Sequence, residues 1–221
     1  MPPLNVIQLR QLLREKFPGL RTHVEELPGR RREGWVSGVP GLDGALGGGF
    51  PKSAISEVIA PQRGCGSALL LRQLLRQAAA GQFAALVDGQ DSFDAAAAGA
   101  ATLARLLWVR CHNAEEAVKA ADLVLRDGNL PVVLLDLALN PEPQLRKIPA
   151  PTWYRFQRIV EESTAVCIVF TPRAMVAPAE VRVTLRSRFA LEQVEADEGK
   201  LMLDFAVSEA RAGDEGLRRS A

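Results

Sequence analysis

Residues 38–71 read GVPGLDGALGGGFPKSAISEVIAPQRGCGSALLL, and this stretch decides the fold class. It begins with a glycine-rich lead-in and continues with the apolar segment Ile55–Ala60. It then turns through glycines into a helical segment that starts near Ser67. A second apolar segment, Phe83–Val87, follows and ends in Asp88. A strand, a glycine-containing turn, a helix and a second strand that ends in an acid form the layout of a mononucleotide-binding α/β unit.

The turn between the first strand and its helix has the length of a phosphate-binding turn but lacks its chemistry. A working turn of the form G-x-x-x-x-G-K-[ST] surrounds phosphates with backbone N–H groups and supplies a lysine countercharge. Here the lysine position holds Gly66 and the second glycine position holds Cys65. A shift of the register by one residue still leaves no lysine. The candidate vestigial nucleotide- or anion-binding residues of the turn are Ala60, Pro61, Gln62, Arg63, Gly64, Cys65, Gly66 and Ser67.

The following segments predict further strands and helices of the same kind. Val132–Leu135 and Ala165–Phe170 are apolar throughout, as strands buried on both faces of a parallel sheet require. Asn113 is placed to be the N-cap of the helix before Val132, and the alanine-rich stretch Asp94–Leu107 favours a helix. Near the C-terminus, residues 181–193 and 201–207 alternate with a period of two, which predicts an antiparallel hairpin.

The expected fold class is therefore α/β, with a mostly parallel central sheet, helices on both faces and a C-terminal antiparallel hairpin. Residues 1–33 are predicted to hold an amphipathic helix, Leu4–Phe17, and a linker. Residues 34–207 form the predicted core domain, and residues 208–221 are polar enough to predict a disordered tail.

Composition excludes few function classes, but it sets the context. A net charge of +1 gives no whole-chain signal for nucleic-acid binding. No apolar run is long enough to cross a bilayer and the N-terminal sequence does not read as a signal peptide, so we expect a cytoplasmic location without membrane partners. The cysteines, Cys65, Cys111 and Cys167, lack metal-ligand spacing and are expected to be reduced thiols; no metal site is predicted.

The chain resembles the core ATPase domain of the RecA recombinases over residues 36–195. The resemblance rests on G-x-x-x-L-D-x-A-L-G-G-G at residues 38–49, on the strand I-S-E-V-I-A-P, on the pair Asp88 and Asp94, and on N-A-E-E-A-V-K-A-A-D ahead of V-V-L-L-D. It implies a RecA-like P-loop-type core in which Asp136 stands at the Walker B position. Asp88, Gln90, Asp94 and Asp136 would then meet at the carboxyl ends of the parallel strands, where α/β proteins bind ligands.

Three parts of the ATP machinery that the resemblance implies are altered. The recombinases place lysine and threonine in the phosphate turn, where this chain has Gly66 and Ser67. They place a catalytic glutamate where Gln90 stands, and glutamine cannot accept a proton from an attacking water as a carboxylate does. Their γ-phosphate-sensing Asn-Gln pair corresponds here to Thr171 and Pro172. We therefore expect no catalytic residues, no enzymatic activity and no cofactor, with ATP and magnesium bound only if the altered site retains affinity.

Degenerate recombinase-like chains of this size resemble the ImuA family, with the SulA-type division inhibitors as a second possibility. The ImuA resemblance implies a role in the SOS response and in translesion synthesis. It implies contacts with a Y-family-like polymerase homologue of the ImuB type and with an error-prone replicative-type polymerase; RecA and DNA are further candidate partners. Two alternatives remain open: a DNA-dependent RecA-type ATPase and a SulA-like inhibitor of a tubulin-like filament protein.

Two sets of arginines are the candidate DNA- or partner-binding residues. Alternation along residues 181–191 places Arg182, Arg186 and Arg188 on one face of the predicted strand, opposite an apolar face. A short basic run, Arg30, Arg31 and Arg32, ends the N-terminal linker. Guanidinium groups of this kind fit DNA phosphates or an acidic protein surface, although a solvated face is the alternative interpretation for both sets.

Overall fold

The computed structural model describes residues 33–189 and 203–209. The predicted helix Leu4–Phe17, the basic run 30–32 and the predicted tail from residue 210 onward lie outside this part of the chain. The strands are β1 Gly34–Trp35, β2 Phe50–Pro51, β3 Ala54–Ile59, β4 Ala84–Asp88, β5 Leu106–Arg110, β6 Val132–Asp136, β7 Val166–Thr171, β8 Val181–Leu185 and β9 Phe205–Glu209. The helices are α1 Pro40–Ala45, α2 Ser67–Ala79, α3 Ala100–Leu103, α4 Ala114–Asp127, α5 Glu142–Leu145 and α6 Ala150–Glu161.

A seven-stranded sheet forms the centre of the described core, in the order β5-β4-β6-β7-β3-β8-β9. Every pairing from β5 through β8 is parallel, and β8 and β9 pair antiparallel with Leu185 opposite Phe205. β1 and β2 form a separate antiparallel pair. The predicted fold class, including the C-terminal antiparallel pair of strands, is therefore confirmed, although β8 ends at Leu185 and is shorter than the predicted strand.

Helices cover both faces of the sheet because strand residues alternate between two apolar clusters. One cluster joins α2 to residues such as Val58, Leu86 and Leu134. The other joins α4 and α6 to the neighbouring strand positions, including Val87 and Leu135. The strands at the centre of the sheet are thus buried on both sides, and chemistry is confined to the loops at their ends.

The sequence predicted correctly the start of α4, which a capping side chain determines. The Asn113 side chain accepts a hydrogen bond from the N–H of Glu116 (2.9 Å) and so caps α4, which ends at Gly128 in a left-handed conformation. The predicted helix over Asp94–Leu107 is wrong, since only Ala100–Leu103 is helical. Asp94 accepts hydrogen bonds from the N–H groups of Ala96 and Ala97, which is a turn motif that competes with a continuous helix.

The carboxyl ends of four central strands converge at one edge of the sheet. β3 leads into the turn at residues 60–66, and β4 and β6 end at Asp88 and Asp136, which are opposite one another in the ladder. β7 ends at Thr171, which is opposite Ile59 of β3. In the described ranges no helix is long and apolar enough to span a membrane.

Candidate functional site

A cleft of about 310 Å³ opens at this edge of the sheet. Its walls bring together the turn, through Gly64, Gly66 and Ser67, and the two acids Asp94 and Asp136. Apolar and other side chains complete the lining: Ala68, Leu69, Leu71, Arg72, Ser92, Phe93, Ala97, Ala138, Leu139 and Phe189. Of the predicted turn residues, Gly64, Gly66 and Ser67 thus share one cleft with Asp94 and Asp136. The predicted residues that do not line it are Ala60, Pro61, Gln62, Arg63, Cys65, Asp88 and Gln90.

The turn itself is covered by residues that follow β8 and precede β9. Gly66 is the N-cap of α2 and has a left-handed backbone with a φ of 95°, a conformation that disfavours any residue with a side chain. A β-carbon at this position would collide with Leu203 Cδ2 and would lie 3.1 Å from Phe189 Cε2. The N–H of Phe189 also donates to the carbonyl of Gly64 (3.1 Å). Two apolar side chains therefore occupy the place into which a lysine at position 66 would extend.

Asp88 is buried and its carboxylate is fully engaged inside the protein. One oxygen accepts from the N–H of Phe93 (2.8 Å) and from the indole Nε1 of Trp108 (3.3 Å). The other accepts from the N–H of Gln90 (3.3 Å) and the hydroxyl of Ser92 (3.4 Å). These contacts hold the loop after β4 against β5, so the Asp88 carboxylate has a structural role.

Asp136 is the acid of the cleft whose ionisation is most perturbed. One carboxylate oxygen accepts from the N–H of Ala138 (3.0 Å). Burial raises the pKa of Asp136, the hydrogen bond from Ala138 lowers it and the nearby Asp88 adds a smaller increase, which together bring the pKa to about 6. An acid with few compensating partners at the edge of a cleft is a candidate ligand-binding group. Among the described residues no group of three or more potential ligands is placed to hold a metal ion.

Thr171, which stands at the predicted γ-phosphate-sensing position, instead donates to a buried glutamate. Glu57, on the central strand β3, is fully buried, and its Oε1 accepts from Thr171 Oγ1 (3.0 Å) and from the N–H groups of Met175 and Val176 (2.8 and 3.0 Å). Its Oε2 pairs with Arg182 Nε at 2.8 Å. This Glu57 hub fixes the loop between β7 and β8, and sequence reasoning missed it. The signal was a single acid in a strand whose other residues, except Ser56, are apolar.

The three predicted binding arginines near the C-terminus occupy two different environments. Arg182 pairs with Glu57 and also donates to the carbonyl of Val176 (2.9 Å), so its half-buried guanidinium is held by internal partners. Arg186 and Arg188 are exposed and follow β8. A surface role for Arg186 and Arg188 stays a prediction, as does that of Arg30, Arg31 and Arg32, which lie outside the described residues.

Comparison with known proteins places this arrangement in a family. The sequence profile of the RecA N-terminal domain matches residues 26–147, more than half of the chain. The chain belongs to the RecA N-terminal domain family. That range contains β1 to β6, the turn at residues 60–67 and both acids of the cleft, so the family relationship covers the elements that build the site.

Individual RecA proteins are similar over about half of the chain. The DNA repair protein recA homolog 1 of Arabidopsis thaliana chloroplasts is 30% identical over 131 residues, which are 58% of this chain and 30% of that protein. Protein RecA of Corynebacterium pseudotuberculosis is 33% identical over 115 residues, 49% of this chain and 31% of that protein. The chain thus matches about a third of the length of these relatives.

The fold comparison agrees. A crystal structure of the RadB recombinase superposes with a TM-score of 0.52 at 16% identity and covers 67% of this chain and 82% of that one. At this identity the similarity establishes the fold alone. The RecA-like core that the sequence predicts is therefore confirmed at the level of fold and family.

Proposed function

We propose that this RecA-family protein does not turn over ATP and that it serves as a non-catalytic accessory factor in the DNA damage response, acting through contacts with other proteins. The family relationship supports a connection with DNA repair, because the relatives named above are RecA proteins. The absence of turnover is an inference from the chemistry of the cleft in this chain.

The environment of Gly66 is the observation that carries the proposal. Phosphate binding in a turn of this kind needs a cation beside the backbone N–H groups. At position 66 the chain has no side chain, a left-handed backbone, and Phe189 and Leu203 packed over it. Apolar side chains therefore pack in the space that the missing lysine would occupy. An ATPase site would need that space for the lysine, whereas a structural turn is stabilised by such packing.

Gln90 and Thr171 also support the proposal that the protein does not turn over ATP. Gln90 lacks the carboxylate that would accept a proton from water, and the nearby Asp88 is committed to four donors of its own loop and of Trp108. Thr171 directs its hydroxyl to Glu57. These groups stabilise loops in the positions where the RecA resemblance implies groups that act on the γ-phosphate.

The intact lead-in motif at residues 38–49 and the helix before Val132 favour the ImuA family over the SulA-type inhibitors as the nearest functional comparison, and the ImuA resemblance implies translesion synthesis as the process. Under this proposal the protein contacts a Y-family-like polymerase homologue of the ImuB type and an error-prone replicative-type polymerase. Co-purification of the protein with each of these polymerases tests the assignment directly, and failure to associate with either contradicts it.

A DNA-dependent ATPase of the RecA type is the second candidate. The observation that favours it is the cleft, which keeps a volume of about 310 Å³ beside Ser67 and Asp136. A ligand of modest size fits such a volume. This alternative requires that nucleotide bind without the lysine, through the N–H groups at the start of α2 and the hydroxyl of Ser67.

The absence of turnover is tested by phosphate release from ATP, with and without single-stranded DNA. We expect rates equal to those of a buffer control, and the same rates for the variant Asp136→Ala. Titration calorimetry with ATP and magnesium supplies the binding measurement. Hydrolysis by the wild type that disappears in Asp136→Ala identifies the cleft as an active ATPase site and rejects the proposal in favour of the second candidate.

A further inference from the structure

Strand β5 is one edge of the seven-stranded sheet, and within the described ranges it pairs with β4 alone. β4 donates to the carbonyl of Arg105 (3.0 Å) and accepts from the N–H of Cys111 (2.9 Å). Backbone groups alternate in direction along a strand, so those of Leu106, Trp108 and Arg110 point away from β4. None of the described residues forms a hydrogen bond with these outward groups.

Exposed apolar side chains surround this open edge. Leu107 of β5 is 48% exposed, Phe83 just before β4 is 54% exposed, and Leu103 just before β5 is 39% exposed. Val109 packs against the apolar cluster of α4 and α6, and the alternation of the strand places Leu107 on the same face of the sheet. An apolar patch beside an unpaired strand edge is a surface on which another strand can pair.

β5 has none of the features that usually block an edge strand. It contains no proline or lysine, and its register with β4 runs without a bulge. Its single charged residue is Arg110, whose Nε and Nη2 donate to the Asp91 carboxylate at 2.6 and 2.7 Å. Because this charge is paired within the chain, the edge can accept another strand without burying an unpaired charge.

The residues of β5 are complementary to themselves in the antiparallel direction. When two copies pair about a two-fold axis at Trp108, the outward groups of Leu106 meet those of Arg110 in the other copy. Leu107 then lies opposite Val109 of the other copy, so apolar side chains face one another. The two Arg110 residues are four positions apart along the ladder, about 14 Å, whereas a parallel pairing in register would place them side by side.

We propose that β5 is a docking site for a second copy of this chain, whose own β5 pairs with it antiparallel and joins the two sheets. Both copies use the same surface, so the contact closes on itself and does not extend to a third copy. The five-residue edge is about 17 Å long. Such a contact lies at the low end of specific interfaces, near about 1,200 Å² in total, so the dimer exchanges with the monomer.

Sedimentation equilibrium of the full chain over a range of concentrations tests the dimer. We expect a monomer–dimer equilibrium with a Kd of about 10 µM, as suits a short interface. Leu107→Lys should weaken the association about tenfold or more, because it places an ammonium group in the apolar contact with Val109. The matched control is Leu123→Lys on α4, where the leucine is 70% exposed. This control should stay within about twofold of the wild type.

A pair of introduced cysteines tests the register of the two strands. In Leu107→Cys/Val109→Cys each new thiol lies opposite its partner in a non-hydrogen-bonded pair, whose Cα atoms are about 4.5 Å apart, a separation that a disulfide spans. Oxidation should give a covalent dimer on a denaturing gel and no larger species. Leu107→Cys/Leu123→Cys carries the same number of thiols and should remain mostly monomeric. The native cysteines are buried, so they should not react.

Three results overturn the pairing of two copies through β5. They are a wild type that stays monomeric at every concentration, equal weakening by Leu107→Lys and Leu123→Lys, and cross-linked species longer than a dimer. A monomer that binds another protein and loses that binding in Leu107→Lys also overturns it, and would assign the edge to that protein. Circular dichroism on each variant checks that the fold is retained. None of these measurements depends on ATP turnover, so the proposed loss of catalysis is judged separately.

Discussion

At the scale of single residues, ionisation of the Asp136 carboxyl group destabilises the folded state. Its pKa in the folded protein, about 6, lies above the ordinary value of 3.8 because the carboxylate is desolvated. The folded state therefore holds a proton more tightly than the unfolded chain. Between about pH 4 and pH 6 the free energy of unfolding falls as the pH rises, and above this window the charged Asp136 costs at most about 3 kcal/mol.

We accordingly expect Asp136→Asn to stabilise the protein at pH 7.5, by up to about 3 kcal/mol, and to have little effect at pH 4. Asparagine retains an oxygen that can accept the N–H of Ala138. Urea unfolding at several pH values provides the measurement, and Asp94→Asn, a change at an exposed acid of the same cleft, is the matched control. An equal gain at pH 4 and at pH 7.5 contradicts the assignment of the cost to ionisation.

The Glu57 hub leads to a second expectation at this scale. Replacing Arg182 by Met leaves a fully buried carboxylate without its cation, and removing one partner of a buried pair costs about 3–5 kcal/mol. The combined change Glu57→Gln/Arg182→Met removes both charges and should restore part of that loss. Arg155→Met breaks a more exposed pair with Asp122 and should cost less than about 1 kcal/mol.

Urea unfolding of the wild type, of these three variants and of Glu57→Gln alone decides between a buried ion pair and a solvated arginine at position 182. Similar losses for Arg182→Met and Arg155→Met, or strict additivity of the Glu57 and Arg182 changes, would return Arg182 to the set of candidate surface residues. The outcome also determines which arginine variants are useful in binding assays, since a change at Arg182 is expected to perturb the fold.

At the scale of elements, the sequence predicted the parts of the fold that local physics decides. Strands apolar on both faces, the Asn113 cap and the alternation around β8 and β9 each leave a periodic or capping signal. The predicted helix over Asp94–Leu107 was wrong because alanine propensity is weak beside the hydrogen bonds that Asp88 and Asp94 make to their own loop.

The sequence could not predict how the site is closed. The contact of Phe189 and Leu203 with Gly66 joins residues more than a hundred positions apart, and no local pattern encodes it. The altered turn was visible as a missing lysine, but the replacement of that lysine by apolar packing was not. The role of Arg182 was missed for the same reason, because its partner lies on a neighbouring strand that is 125 positions away in the sequence.

Substitutions at Gly66 test whether Phe189 and Leu203 close the turn. Gly66 and Gly47 both have a positive φ, 95° and 71°, but a β-carbon at Gly47 meets nothing within 4 Å. Both changes to Ala should cost about 1–2 kcal/mol from backbone conformation, and Gly66→Ala should cost more because of Leu203 and Phe189. In a protein that also carries Leu203→Ala, the additional loss of stability caused by Gly66→Ala should be smaller. Equal costs at the two glycines in urea unfolding would show that the turn is open.

The same geometry governs an attempt to rebuild the phosphate turn. Cys65→Gly/Gly66→Lys restores the sequence pattern, but the lysine would begin from a left-handed backbone beneath two apolar side chains. We expect no gain in ATP affinity by titration calorimetry and a lower melting temperature. A measurable gain in affinity would mean that Phe189 and Leu203 move aside readily and would strengthen the ATPase alternative.

At the scale of the whole molecule, the described core buries apolar residues on both faces of its sheet. Both apolar clusters and the seven-stranded sheet are formed by residues between Trp35 and Glu209. The sequence predicts one further apolar surface outside this part of the chain, the stripe Leu4, Ile7, Leu12 and Leu13 of the N-terminal helix. A helix this short is marginal in water without a docking surface, which makes the stripe a candidate for partner contacts.

This stripe is the subject of the last prediction. Replacing Leu4, Ile7, Leu12 and Leu13 by Ser should weaken co-purification with the Y-family-like polymerase homologue by about tenfold or more, because each apolar side chain removed from water contributes to association. The control replaces Arg10, Arg14 and Lys16 on the polar face by Gln and should bind like the wild type. Unchanged melting in both variants shows that the core remains folded. Wild-type binding by the serine variant would contradict a role of the stripe in this association.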